Sequence, residues 1–258
     1  MSRSFKAIVK ENRKLTDNHF LLTLQPSGRV QKPKPGNFYM LSVNMGLDPL
    51  LKRPLSVHRI AGNKLQFMYR VAGKGTNILC EKKPGETLDI LGPLGNVFPV
   101  KKNPKNIILV AGGIGIAPIF SLAEKVSASS PSLFYGARTK NDVFCRKELK
   151  SIGIKPVITT DDGSLGDKGN IIKSLKKYFS EHSLEAADHT LYACGPGPML
   201  KALSAFTSKN NIKSYFALEQ HMACGIGTCL GCIVNTVDGY KRVCKEGPVF
   251  EAEKIVWK

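Results

Sequence analysis

Four cysteines near the C-terminus have the spacing of an iron–sulfur site. Cys224, Cys229, Cys232 and Cys244 follow the pattern C-x4-C-x2-C-x11-C. Three of them crowd into one loop, where Gly225, Gly227 and Gly231 allow tight turns and let backbone amides face sulfur atoms. A structural zinc site more often pairs its cysteines in two short hooks. The spacing therefore predicts that all four ligate a [2Fe–2S] cluster; a zinc site and unligated core thiols are the alternatives.

Two glycine turns have the pattern of a dinucleotide site. The first follows the apolar run Ile107–Ala111 and contains Gly112, Gly113, Gly115 and Pro118. The second begins at Cys194 and Gly195, after the short apolar stretch Leu191–Ala193. Amides at the start of a helix, placed at the carboxyl end of a parallel strand, can bind a pyrophosphate, and proline suits the first helical turn. The alternative is that these turns only pack against the sheet.

A third candidate site lies in the first hundred residues, at Arg53-Pro54-Leu55-Ser56. Its guanidinium can bridge phosphate oxygens, and the serine hydroxyl can hydrogen-bond a ring nitrogen. Arg70 and the glycine-rich segment ending in Gly75 and Thr76 supply a second cation and a predicted loop for another phosphate. A purely structural Arg-Pro turn is the alternative.

Three domains are predicted to position these residues. Residues 1–100 contain many short strand signals, Ser56–Ile60 among them, separated by turn residues, which predicts an antiparallel β-barrel or sandwich. Residues 101–218 alternate strand and helix patterns, which predicts βαβ units around a parallel sheet. Residues 219–258 are too few for a core of their own and are predicted to form a small cluster module.

Composition narrows the class of protein. The chain has 258 residues, of which 42% are hydrophobic, and a net charge of +18. Basic residues outnumber acidic ones by 16 to 6 in residues 1–98 and 17 to 9 in 99–218, but equal them in 219–258, at five each. This spread, without a basic block interleaved with aromatic residues, argues against nucleic-acid binding. The sequence contains no run of about 20 apolar residues, so no membrane span is predicted. The chain has seven cysteines, of which four are assigned to metal ligation and none to a disulfide, and it has no apolar leader; both features favour a cytoplasmic protein.

Together, in chain order, these motifs resemble the ferredoxin–NAD(P)H reductase superfamily across residues 1–218. The tail, from Leu218 to Cys232 with Val243–Phe250, resembles the electron-transfer subunits of type B dihydroorotate dehydrogenases. The resemblance covers essentially the whole chain. It implies FAD on the barrel domain, NAD on the α/β domain, and a [2Fe–2S] cluster that receives electrons from the FMN of a separate dihydroorotate dehydrogenase catalytic subunit. It further implies a heterotetramer of two chains of each kind.

The resemblance also assigns roles to residues. It implies that the flavin is lined by Arg53, Pro54, Leu55 and Ser56, with Met68, Tyr69 and Arg70 on the adjoining strand and Gly75 and Thr76 at the FAD pyrophosphate. The superfamily usually has tyrosine where this chain has Leu55, so an aliphatic side chain would shield the ring instead of stacking on it. Cys194 is expected near the nicotinamide, with a buried core thiol as the alternative, and we regard Cys194 and Ser56 as the candidate catalytic residues.

Cofactor choice is predicted from Asp161 and Asp162, which follow a predicted strand where superfamily members meet the adenosine ribose. A carboxylate there would accept a hydrogen bond from a 2′-hydroxyl and repel a 2′-phosphate, which favours NAD over NADP. The alternative is that both aspartates are ordinary turn residues.

Two other functions are compatible with these motifs. One is the small subunit of an NADH-dependent ferredoxin:NADP oxidoreductase, which has the same three modules; four intact cysteines and the sequence at Arg53–Ser56 favour the dihydroorotate relay instead. The other is a zinc-stabilised binding module without redox activity.

Overall fold

The computed structural model describes residues 3–44, 46–101, 106–181 and 189–257, and contacts divide the chain into two compact units. The first unit comprises Met1–Val97, Glu219–Val234 and Tyr240–Pro248. The second comprises Phe98–Leu218, Asn235–Gly239 and Val249–Lys258. The cysteine-bearing tail is thus shared between the two units, whereas the sequence predicts a separate module. A segment this short buries its apolar residues against larger neighbours.

The first unit is built on one antiparallel sheet of seven strands. The strands are β1 (Arg3–Lys14), β2 (His19–Pro26), β3 (Phe38–Leu41), β4 (Arg53–Ser56), β5 (Arg59–Ala61), β6 (Lys64–Arg70) and β7 (Thr87–Leu94). Their order is β4-β3-β7-β1-β2-β6-β5, and β4 also approaches β6, which curls the sheet. Buried Leu22, Tyr39 and Phe67 belong to the core of this unit. The predicted antiparallel architecture is confirmed in this form.

Helix α1 (Lys74–Cys80) begins inside the predicted glycine-rich loop, so only residues 71–73 of that segment are loop. The Thr76 hydroxyl accepts hydrogen bonds from the amides of Ala72 (2.9 Å) and Gly73 (3.1 Å), which satisfies donors at the helix start. Leu79 is fully buried and anchors the helix to the core. These contacts offset the unfavourable helix propensity of the glycines.

The second unit contains a mainly parallel sheet. The remaining strands of the chain are β8 (Ile107–Gly112), β9 (Ser132–Ala137), β10 (Val157–Thr160), β11 (Asp167–Lys168), β12 (Thr190–Cys194), β13 (Lys213–Ala217), β14 (Ile233–Thr236), β15 (Gly239–Arg242) and β16 (Val249–Glu251). The order of this sheet is β11-β10-β9-β8-β12-β13-β16. Among its described strands, only β13 and β16 pair in antiparallel fashion. Strands β14 and β15 form a separate two-stranded sheet.

Helices α2 (Ile116–Val126), α3 (Arg146–Ser151), α4 (Ile171–Glu181) and α5 (Gly197–Lys209) complete the fold. Every residue of β8 is buried, as expected for a strand covered on both faces. The chain runs outward from β8 to β10 and then returns to the other side of β8 at β12. A crevice for ligands is expected at this reversal, beside the carboxyl ends of β8 and β12. In the part of the chain that the structure describes, no helix has the length and apolar character of a membrane span.

Candidate functional site

The cysteine loop directs backbone amides at its own sulfur atoms. The Thr228 amide donates to Cys224 Sγ (3.4 Å), the Gly231 amide to Cys229 Sγ (3.5 Å), and the Cys244 amide to Cys232 Sγ (3.4 Å). Hydrogen bonds of this kind favour the thiolate, which is the form that ligates metal. The backbone therefore fits a set of sulfur ligands at this position.

The four cysteines form two pairs. Burial raises the pKa of Cys224, but amides of Cys229 and Ile226 and the Cys229 thiol outweigh it and lower that pKa to about 6. Burial and the adjacent Cys232 thiol raise the pKa of Cys244 to about 12. Cys224 thus lies beside Cys229, and Cys232 beside Cys244, and Cys224 is also near enough to Cys244 to raise its pKa. Within the described ranges, no three metal-ligating side chains converge on one point. Two pairs of thiols suit two irons with two thiolates each.

The cysteine loop packs on the curled sheet of the first unit. A Cβ atom on Gly225, whose φ is +73°, would lie 2.6 Å from Met40 Cγ and 3.3 Å from Leu94 Cδ1. The buried Met40 is a residue of β3, and its register partner on β4 is Pro54. The cysteine loop therefore contacts the strand that pairs directly with the Arg53–Ser56 motif.

Strand β4 is an edge strand, and all four of its residues are half-buried. An edge position tolerates Pro54, because proline has no backbone N–H for a ladder. The Arg53 guanidinium lies against the start of α1: a Cβ on Gly75 would be 2.6 Å from Arg53 Cζ. The structure thus brings together two predicted phosphate-binding segments that are distant in sequence.

Four other predicted flavin residues occupy less direct positions. The Tyr69 ring is buried and stacks on Phe20, and its hydroxyl donates to Asn12 Oδ1 (3.0 Å). Met68 is buried next to it, whereas Arg70 is exposed. The Thr76 hydroxyl is already bonded at the start of α1. Of this group, the Arg70 side chain remains accessible to a ligand.

The two glycine turns of the second unit touch each other at the carboxyl ends of β8 and β12. A Cβ on Gly112 would lie 2.6 Å from Met199 Sδ, and one on Gly195 would lie 3.0 Å from the Gly112 Cα. A Cβ on Gly115 would clash with the backbone carbonyl of Cys194. Gly113 has a φ of +52°, Pro118 is buried in the first turn of α2, and the Cys194 thiol is buried. This close approach of backbone suits a dinucleotide.

Asp161 and Asp162 follow β10 but differ in their contacts. The Asp162 carboxylate accepts hydrogen bonds from the hydroxyl (2.6 Å) and amide (2.9 Å) of Ser164, and these bonds lower its pKa. In the described residues the exposed Asp161 carboxylate forms no hydrogen bond or ion pair. Asp162 is thus a turn residue, and Asp161 is the carboxylate available to a ligand.

Comparison with known proteins decides the family. A model described as the iron-sulfur cluster binding domain of dihydroorotate dehydrogenase B matches residues 219–256, and one for an oxidoreductase NAD-binding domain matches 109–205. A protein of Caldanaerobacter subterraneus subsp. tengcongensis, named dihydroorotate dehydrogenase B (NAD(+)), electron transfer subunit, is 37% identical over the full length of both chains. The chain belongs to this family. An Aquifex aeolicus homologue of the same subunit is 37% identical over 99% of this chain and its own full length.

Solved structures agree with the fold. The electron-bifurcating NADH-dependent reduced ferredoxin-NADP oxidoreductase has a TM-score of 0.85 and 27% identity, over 97% of this chain and 90% of that one. A ferredoxin reductase of carbazole 1,9a-dioxygenase has a TM-score of 0.71 over 83% of this chain and 69% of that one; at 20% identity it supports the fold alone.

These findings confirm the predicted function. The subunit is an oxidoreductase component that transfers electrons, and FAD, a [2Fe–2S] cluster and NAD are its cofactors. Its family implies a catalytic subunit as partner. Full-length identity to the dihydroorotate dehydrogenase subunits favours that family over the oxidoreductase alternative.

Three residues near the proposed cluster ligands were missed from the sequence. Met40 gave no local signal, because its contact with Gly225 joins distant parts of the chain. Arg242 and Glu246 flank Cys244 at a spacing of four residues, which is a visible sign of an ion pair.

Proposed function

We propose that the subunit carries electrons from the FMN of a dihydroorotate dehydrogenase catalytic subunit to NAD+ through its cluster and FAD. When bound, these groups exchange single electrons at the cluster side and deliver a hydride at the nicotinamide side. The observation that carries this proposal is the position of β3. The cysteine loop contacts Met40 on this strand, and the Arg53–Ser56 strand pairs with it.

In this proposal the cysteine loop holds the cluster next to the flavin strand. Cys224, Cys229, Cys232 and Cys244 ligate the two irons, and the amides of Thr228, Gly231 and Cys244 stabilise the sulfur charge. Met40 excludes water between the loop and the sheet, since it is fully buried. A dry protein path of this kind favours electron transfer over reaction with solvent species.

The remaining assigned residues bind and orient the two nucleotides. Arg53 and the backbone of α1 at Gly75 and Thr76 would hold the FAD pyrophosphate, with Arg70 as a second cation. Pro54, Leu55 and the backbone of Met68 and Tyr69 would border the flavin ring, and Ser56 would hydrogen-bond it. Gly112, Gly113, Gly115, Pro118 and Gly195 would receive NAD, with Cys194 at the nicotinamide and Asp161 at the ribose.

The proposal includes the assembly and its compartment. We expect two copies of this subunit and two catalytic subunits in a cytoplasmic heterotetramer, with the curled sheet completing an FAD-binding barrel. Ile226 and Leu230 on the cysteine loop are exposed, and the tail they belong to has balanced charges. A weakly charged, partly apolar face is typical of the centre of a protein interface.

Reconstitution tests the relay. The isolated, cofactor-loaded subunit should reduce artificial dyes with NADH but should not oxidise dihydroorotate. Addition of an FMN-containing dihydroorotate dehydrogenase subunit should confer dihydroorotate-dependent reduction of NAD+. Oxidation of dihydroorotate by the lone chain, or no effect of the partner, would contradict the proposal.

The ligand assignment has its own test. Cys229→Ala should abolish the [2Fe–2S] spectrum and leave the flavin bound, because a central thiolate is lost from a loop distant in sequence from β4. Cys145→Ala, at a half-buried cysteine of the second unit, is the matched control and should keep its iron. Two irons per chain in the Cys229 variant would contradict the ligand set.

A further inference from the structure

An ion pair brackets the fourth cysteine. Arg242, the last residue of β15, and Glu246 lie on either side of Cys244 and pair through Arg242 Nη2 and Glu246 Oε1. Arg242 Nε donates to Glu246 Oε2 at 3.1 Å, and the Arg242 backbone amide donates to the same oxygen at 2.8 Å. The guanidinium is therefore held in one orientation by a two-pronged contact.

The same guanidinium reaches the loop that bears the other three cysteines. Arg242 Nη1 donates to the carbonyl of Gly227 at 2.7 Å. Gly227 has a φ of +88°, and a Cβ there would lie 2.9 Å from the Cβ of Lys245. Arg242 thus joins two backbone segments in close contact, one with Cys224, Cys229 and Cys232 and one with Cys244.

The backbone carbonyl of Arg242 stabilises the turn that follows this residue. It accepts hydrogen bonds from the amides of Lys245 (3.1 Å) and Glu246 (2.9 Å). This turn places the Cys244 amide on Cys232 Sγ. The two sulfur atoms next to this turn are those of Cys232 and Cys244. Both sulfurs are buried, so the nearby positive charge is incompletely screened by water.

We propose that Arg242, oriented by Glu246, is a positioning residue that joins the two cysteine segments and raises the reduction potential of the cluster. This inference rests on the proposed cluster ligands. Reduction adds one electron, and hence one negative charge, to a centre held by four thiolates, so a fixed cation beside it favours the reduced state. The Glu246 carboxylate opposes that effect in part, while it keeps the cation in place.

Redox titration of the full chain, loaded with its cofactors, tests the inference. The cluster would be followed by its electron paramagnetic resonance signal during reduction with dithionite and mediators, alongside iron and sulfide content. Variants would be Arg242→Gln, Arg242→Lys, Glu246→Gln and the double variant R242Q/E246Q. Arg13→Gln, which removes an exposed arginine paired with Glu11 on β1, is the matched control for loss of one positive charge.

Removal of the positive charge of Arg242 and removal of the negative charge of Glu246 should shift the reduction potential of the cluster in opposite directions. Arg242→Gln should lower the ratio of reduced to oxidised cluster about tenfold at a fixed potential, or about 59 mV for one electron. Glu246→Gln should raise that ratio, and Arg242→Lys and the double variant should remain closer to the parent protein. Shifts of the same sign in both single variants, or no shift beyond that of Arg13→Gln, would overturn the inference.

Loss of iron from all four Arg242 and Glu246 variants would assign the pair a purely structural role and would also overturn the inference. Absence of a [2Fe–2S] signal in the parent protein would instead contradict the proposed function itself. The two failures are therefore distinguishable.

Discussion

At the scale of single residues, the candidate sites depend on glycines, which leave room for neighbouring groups, as much as on the residues that would bind a ligand. Gly75 leaves room for the Arg53 guanidinium, Gly225 for Met40, and Gly115 for the carbonyl of Cys194. Each glycine permits two segments that are distant in sequence to approach within van der Waals distance. Replacing one of these glycines by alanine tests such a contact more sharply than removing a ligand-binding side chain does, since only one methyl group is added.

Gly75→Ala should reduce FAD binding. The new Cβ would displace the Arg53 guanidinium from the start of α1, where we place the FAD pyrophosphate. The measurement is the ratio of flavin to protein absorbance after purification and dialysis. Gly73→Ala is the control, because a Cβ there meets no heavy atom within 4 Å. Equal flavin content in both variants would contradict the placement of FAD at Arg53.

Asp161→Ser should increase the use of NADPH. Removal of the free carboxylate removes repulsion of a 2′-phosphate, and a change of about 1.4 kcal/mol would raise the NADPH to NADH ratio of kcat/KM about tenfold. Asp162→Asn is the control: it disrupts the Ser164 turn and should affect both cofactors alike. The assignment fails if Asp162→Asn changes preference more than Asp161→Ser.

The candidate residues were predictable where spacing along the chain carries the chemistry. Cys224, Cys229, Cys232 and the glycine turns are of this kind, since each motif lies within one loop. Cys244 was predicted from its spacing alone, because β14 and β15 lie between it and that loop. Tyr69 illustrates the limit: the resemblance implies that it lies on the strand next to the flavin, but it does not indicate that its ring and hydroxyl contact Phe20 and Asn12. Which face of β6 is buried depends on partners that a local pattern does not name.

At the scale of elements, strand pairing explains why some strand ends predicted from the sequence are misplaced. The pattern predicts one strand over Ser56–Ile60, whereas β4 ends at Ser56 and β5 begins at Arg59. The break occurs because β4 pairs with β3 and β5 pairs with β6. By contrast, β8 was predictable within one residue, since a fully buried parallel strand is a continuous apolar run.

Gly115→Ala should weaken NADH binding by disturbing the contact between the ends of β8 and β12. The added methyl meets the Cys194 carbonyl, which cannot move without distorting β12, so a loss of about 1–3 kcal/mol of stability is expected as well. Thermal unfolding and the Kd for NADH measure the two effects. Gly197→Ala, where a Cβ meets nothing within 4 Å, is the matched control and should change neither. Unaltered NADH binding in Gly115→Ala would contradict this site.

At the scale of the whole molecule, the subunit must deliver electrons across an interface that its own chain only half supplies. Leu230 is a candidate for this interface: its side chain is 59% exposed in the cysteine loop, and its φ is +58°. A large apolar residue in this conformation is uncommon, and aspartate or asparagine tolerates it better. Among the described residues this apolar side chain stays largely uncovered, which favours a place for it at the interface.

Leu230→Asp should weaken binding of the catalytic subunit at least tenfold, or about 1.4 kcal/mol, because it places a charge at an apolar contact. Dye reduction by NADH should remain unchanged, since the backbone conformation accepts aspartate. Val157→Asp, at an exposed apolar residue of the second unit, is the control. Titration of the catalytic subunit against NAD+ reduction gives both affinities, and similar values for the two variants would contradict a role for Leu230.

The pairing of β13 with β16 has a consequence for how the metal centre is built. Ala217 and Val249 are register partners, so the cysteine segment leaves and rejoins the fold at two adjacent points. Its closure is secured by strand hydrogen bonds that do not involve sulfur, and most of the entropy of closing a long loop is lost before any iron arrives. The four thiols are therefore presented to incoming metal at a high effective concentration. Loss of the cluster would leave this closure in place, because none of the hydrogen bonds between β13 and β16 involves sulfur.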